Sequence, residues 1–129
     1  MNRAADWLRQ SERDLEETKH SFKGGYYEWA CFLAQQSAEK AVKALAEHEK
    51  IISWGHVISR ILKEISQIIK FPPNLLEKAK ILDRYYIPTR YPNGFESGAP
   101  MDYYTKKDAV EAIKYAEEII EFSKQYIQK

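Results

Sequence analysis

A single cysteine, Cys31, stands among 129 residues, so no disulfide can close within the chain and a secreted, disulfide-stapled scaffold is excluded. Long apolar runs are also missing. Nothing approaches the roughly 20 consecutive apolar residues that a bilayer-crossing helix needs, and the opening Met1-Asn2-Arg3-Ala4-Ala5-Asp6-Trp7 lacks the apolar centre of an export signal. A cytoplasmic location without a membrane span is the expectation. Nor is there an excess of either charge: 20 Lys and Arg oppose 19 Asp and Glu, leaving a net charge of +1. Affinity for phosphate would have to come from a local cluster of basic residues, because no bulk field supplies it. Histidine is scarce, with His20, His48 and His56 far apart in the sequence. Together with one cysteine they offer no metal-ligand spacing, and neither metal nor cofactor is expected. Glycine-rich phosphate loops, zinc-protease helices and nucleophilic serine elbows are absent as well.

The apolar pattern that is present has a helical period. Ala4, Leu8, Leu15, Thr18 and Phe22 recur at three-, four- and seven-residue steps up to Gly24-Gly25. The stretch from Tyr26 to about Glu49 has no glycine or proline and should be the longest helix. After Ser53-Trp54-Gly55, a stripe from Val57 through Ile58, Ile61, Leu62 and Ile65 to Ile69 predicts a third helix, stopped by Pro72-Pro73. Pro73 suits the first turn of a short fourth helix carrying Leu75, Leu76, Ala79, Leu82 and Tyr85, with Pro88 ending it. The segment from Ile87 to Tyr104 holds three of the five prolines and two of the five glycines and is expected to be one long irregular loop. Loops of that length inside a compact domain are uncommon and often functional. Thr105 and Asp108 then form a capping box for the last helix. No strand pattern occurs. The expectation is an all-α up-and-down bundle of four main helices plus one short one, as a single domain over residues 1–129.

Three segments could carry chemistry. Gln36, Lys40 and Lys43 share a face of the second helix beside Glu39; they either contribute cations to a site or solvate an edge through pairs such as Glu39 with Lys43. Gly55-His56 precedes the third helix, where free backbone N–H groups can receive an anion and His56 could cap or act as a ligand. From Asp83 to Asn93, Arg84, Arg90, Tyr85, Tyr86 and Tyr91 surround a proline-stiffened turn. Arginine contacts phosphate bidentately and tyrosine offers a base a stacking face. Equally, Tyr85 and Tyr86 could be core while Arg84 pairs with Asp83.

Gly25-Tyr26-Tyr27, the run Phe32-Leu33-Ala34-Gln35-Gln36-Ser37-Ala38-Glu39-Lys40-Ala41, Gly55-His56, Leu82-Asp83-Arg84-Tyr85-Tyr86 with Arg90-Tyr91-Pro92, and Tyr104-Thr105 resemble, in order and spacing, the HEPN domain family. The resemblance runs nearly the whole chain. It implies a helical bundle that forms a homodimer, a minimal nucleotidyltransferase as partner, and kinship with toxin-like ribonucleases. Active ribonucleases of that family carry an Arg followed four to six residues later by a His, and in the nucleotidyltransferase-paired group a Tyr two residues beyond it. Arg84 and Tyr91 fit that spacing, which makes Tyr91 the candidate acceptor of AMP. Thr89 occupies the histidine position, and a hydroxyl that does not titrate near neutrality cannot replace imidazole as acid or base. The expectation therefore leans away from an enzyme. It favours a nucleotide- or RNA-binding module of a toxin–antitoxin-like pair, with Arg84, Arg90, Tyr91, Lys40 and Lys43 lining the site. The alternatives are a divergent metal-independent ribonuclease using Arg84 and His56, and a protein-interaction scaffold without ligand.

Overall fold

A computed structural model describes residues 2–128; Met1 and Lys129, the two ends of the expected domain, lie outside the described residues. All its regular structure is helical: α1 (Ala4–Lys23), α2 (Tyr27–His48), α3 (Ile58–Ile65), α4 (Pro73–Asp83), α5 (Pro100–Tyr103) and α6 (Lys106–Ile127). Helix α2 packs against α1, α3, α4, α5 and α6. Its sequence allows this, because Ala30, Ala34, Ala38, Ala41 and Ala44 are fully buried and let neighbouring backbones approach closely. Helices α1, α2 and α6 pack mutually, and the α3–α4 pair closes on α2. Ile58, Ile61, Leu62 and Ile65 of α3, Leu82 of α4 and Ile119 of α6 fill the core between them.

Helix ends follow the local chemistry. At the end of α1, Gly25 takes φ +83, with its N–H bonded to the Phe22 carbonyl and that of Tyr26 to the Ser21 carbonyl. This left-handed closure suits glycine. The same closure ends α2, where Lys50 must hold φ 60 while Ile51 N–H reaches the Ala46 carbonyl. The Thr105 hydroxyl accepts from Asp108 N–H at 3.1 Å and the Asp108 carboxylate accepts from Thr105 N–H at 3.0 Å, as the capping-box spacing predicts.

Several boundaries differ from expectation. The shorter of the third and fourth helices is α3, not α4. It stops at Ile65 because the N–H groups of Ile68 and Ile69 both turn back to the Ile65 carbonyl, which leaves Ile68 exposed and only Ile69 in the core. Helix α4 ends at Asp83, ahead of Pro88. There Arg84, Tyr85 and Tyr86 donate to carbonyls three residues back, tightening the chain before proline acts. The expected long loop contains a 3₁₀ turn over Pro92–Gly94 and the helix α5. Pro92 and Pro100 each stand at a first helical position, where a fixed φ and a missing N–H cost nothing.

Helix α3 lacks a capping side chain of its own, since Val57 precedes it. Asp83 supplies the cap from α4: its carboxylate accepts from Ile58 N–H at 2.7 Å, Ser59 N–H at 3.2 Å and the Ser59 hydroxyl at 2.6 Å. The anion-receiving N–H groups anticipated after Gly55-His56 are thus already filled. Asp83→Ala should lower stability by about 1–3 kcal/mol, because it strands these partly buried donors. Urea unfolding measures this, and an unchanged midpoint would refute the capping role.

Candidate active site

The turn before α3 and the end of α4 meet at an open pocket of about 470 Å³, lined by His56, Val57, Asp83, Arg84, Tyr86, Ile87 and Pro88. Gly55 adopts φ +77, a left-handed bend that brings His56 to the pocket rim. The His56 ring stacks on Tyr86 with centroids 4.8 Å apart and planes 16° from parallel. Its Nδ1 lies 3.0 Å from Oε2 of Glu39. Glu39 is only 5% exposed, and a carboxylate so far from water needs partners. Oε2 also meets Lys43 Nζ at 3.1 Å, while Oε1 accepts from Gln35 Nε2 at 3.1 Å. The buried Gln35 additionally donates to the His56 carbonyl at 3.0 Å, fastening the turn to α2.

Arg84 is exposed on the same pocket, and its guanidinium makes no hydrogen bond or ion pair among the described residues. Its neighbour Asp83 is committed to α3, so the alternative Asp83–Arg84 pair does not form. Arg90 is differently employed. Its guanidinium lies 4.3 Å from the Phe32 ring centroid, 5.0 Å from that of Tyr86 and 5.2 Å from that of Tyr91, and Nε donates to the Tyr86 carbonyl. Tyr86 thereby links Arg90 to His56. Tyr91 is half exposed, whereas Tyr85 belongs to the core. Thr89 is buried and its hydroxyl donates to the Tyr85 carbonyl at 2.6 Å, so it has a structural partner and is not part of the lining of the Arg84 pocket.

The two expected lysines sit elsewhere. Lys40 pairs with Asp14 of α1 at 2.6 Å. Lys43, besides holding Glu39, lies 5.5 Å from the Trp7 ring centroid and lines a separate cavity of about 490 Å³ with Asn2, Trp7, Glu47, Lys50 and Ser53. Its charge is already neutralised by Glu39. His20 and His48 lie beside Glu17 and Glu49 respectively, away from both lining sets. The inward role of Glu39 was hidden by its place in a polar run; the four-residue steps Gln35–Glu39–Lys43 are the signal that could have found it.

The described residues thus form an all-helical bundle with an unpaired Arg84 guanidinium, His56 and an aromatic wall at one mouth. A family model described as the HEPN domain matches residues 4–126. The chain belongs to the HEPN domain family. It is 31% identical to a protein of Methanocaldococcus jannaschii named as a putative toxin, over 95% of this chain and 87% of that one. The crystal structure of TT1696 from Thermus thermophilus matches with a TM-score of 0.93 and 42% identity, over 97% of this chain and 98% of that one. That of ST0689, an archaeal HEPN homologue, matches with a TM-score of 0.83 and 46% identity, over 98% and 99% respectively.

Cys31 takes no part in this chemistry. Burial, reinforced by the charges of Asp108, Glu28 and Glu111, pushes its thiol from 9.0 up to about 12, and burial likewise raises Tyr85 and Tyr104. A folded-state value above the unfolded one contributes stability that is whole below pH 9.0 and drains away as pH climbs toward 12. The native thiol should therefore resist iodoacetamide at mildly alkaline pH and react once unfolded in urea, with stability falling in stronger alkali. Rapid alkylation of the native protein would contradict this.

Proposed function

We propose that the chain is a nucleotide- or RNA-binding module of a toxin–antitoxin-like pair, acting in the cytoplasm as a homodimer beside a minimal nucleotidyltransferase. The observation that carries the binding reading is Arg84: exposed, unpaired and set against the apolar and aromatic wall of Tyr86, Ile87 and Pro88. A guanidinium left free at such a wall suits a phosphate, with a ring to take the base. Arg90 and Tyr91 extend the aromatic wall along the same segment. The toxin kinship rests on the family and on the archaeal relative. The half-exposed Tyr91 is the residue on which the partner enzyme would place AMP; intact-mass analysis of the co-expressed pair tests this, and an unmodified chain counts against it.

Binding of a fluorescent single-stranded RNA and of ATP, followed by anisotropy over a salt series, tests the site. Arg84→Ala should weaken binding about tenfold or more, with a shallower salt slope, since one charge-assisted phosphate contact is lost. Equal affinity of wild type and variant at low salt would remove Arg84 from the site.

A further inference from the structure

Lys50 closes α2 at φ 60, a left-handed position that glycine fills without strain and that a residue with a Cβ resists. Its N–H bonds the Glu47 carbonyl, but its ammonium has no hydrogen bond or ion pair among the described residues. With Trp7, Glu47, Ile51, Ile52 and Ser53 it lines the cavity of about 490 Å³ between the start of α1 and the end of α2. That volume lies within the range of small-molecule sites, and none of these residues belongs to the Arg84 pocket.

Two unlike charges and an apolar surface border this space. Glu47 is held in place: its Oε1 accepts from Arg3 N–H at 3.1 Å, and its carbonyl accepts from the Asn2 amide at 3.2 Å. Its Oε2 has no partner among the described residues, and neither has the Ser53 hydroxyl. Trp7 is held by Lys43, whose Nζ lies 5.5 Å from the ring centroid and is itself neutralised by Glu39. Ile52 is 74% exposed beside them. A phosphate or nucleotide would set its charge against the Glu47 carboxylate, with Lys50 as the one unpaired cation in the lining to balance it. A small molecule with one anionic end, one cationic end and an apolar body satisfies the carboxylate, the ammonium and the indole together.

We propose that this cavity binds a free α-amino acid with an apolar or aromatic side chain. The ligand carboxylate meets the Lys50 ammonium and the Ser53 hydroxyl, the ligand ammonium meets Glu47 Oε2, and the side chain lies against Trp7, Ile51 and Ile52. An aromatic side chain gains a further ring contact with the indole. The left-handed backbone at Lys50 then has a use, because it sets an ammonium at the cavity where a glycine would leave none.

The isotopically labelled intact protein is titrated with L-phenylalanine and followed by amide chemical shifts. Phenylpropionate, which lacks the ammonium, and phenethylamine, which lacks the carboxylate, are titrated in parallel. The expected result is saturable binding of the amino acid with shifts concentrated at residues 2–7 and 47–53. Each truncated probe should bind about tenfold more weakly or worse, since it forfeits a charge-assisted hydrogen bond. Lys50→Gly should lose about tenfold in affinity while its melting temperature holds or rises, because the strain and the ammonium are removed together. Glu47→Gln keeps an oxygen for Arg3 N–H and should weaken L-phenylalanine while leaving phenylpropionate unchanged; melting curves establish its folding, and Lys50→Gly decides the matter should it not fold. No saturable shift with either L-phenylalanine or L-leucine up to about 10 mM overturns the proposal. So does full affinity in Lys50→Gly, a shift pattern centred on residues 55–57 and 83–91, or phenylpropionate binding as tightly as the amino acid, which would mark an anion site only.

Discussion

A carboxylate taken almost wholly out of water must be met by donors on every side, and Glu39 imposes that condition on the middle of α2. The partners come from three directions in the chain: Gln35 one turn before it, Lys43 one turn after it, and His56 across the turn that precedes α3. Satisfying the charge therefore fixes where residues 55–57 run over α2, which fixes where α3 begins and where Tyr86 finds a ring to stack on. The Asp83 cap closes the same circuit from the other side, tying the end of α4 to the start of α3. Removing one partner from a buried charged set generally costs more than the set contributes, about 3–5 kcal/mol, because the remaining charge is left uncompensated. The arrangement is accordingly a constraint on geometry before it is a source of stability.

The helices were legible in the sequence because their apolar stripes follow a 3.6-residue period and their ends carry readable chemistry, as at Gly24-Gly25 and Thr105 with Asp108. The helix boundaries around Ile65, Asp83 and Pro100 were not, since they are decided by hydrogen bonds three residues back and by proline at first helical positions, neither of which alters hydrophobic periodicity. At the site, the density of arginine and tyrosine in the Asp83–Asn93 segment could be read from the sequence. What could not be read was how the two arginines differ. Arg90 is absorbed by three aromatic rings, and Arg84 stays free because Asp83 faces another helix. Such distinctions depend on which residue wins a shared partner, and that competition is settled only by tertiary packing.

The same competition explains why the lysines of α2 lie apart from the pocket. Lys40 answers Asp14 of α1, and Lys43 answers Glu39, so each neutralises a carboxylate that packing has partly or fully withdrawn from water. Their electrostatic contribution is spent inside the bundle. With a net charge of +1, the attraction of a polyanion falls to whatever cations remain unpaired at a concave surface. At the pocket between the turn before α3 and the end of α4, that cation is Arg84, with Arg90 behind the Tyr86 ring system.

The most direct test of this placement is an amide chemical-shift map of the isotopically labelled protein titrated with a short single-stranded RNA. Binding at the proposed pocket predicts shifts concentrated at residues 55–57 and 83–91, with those around Trp7, Lys43 and Lys50 unmoved. Shifts centred instead on the Trp7 cavity, or none at saturating RNA, would contradict the account.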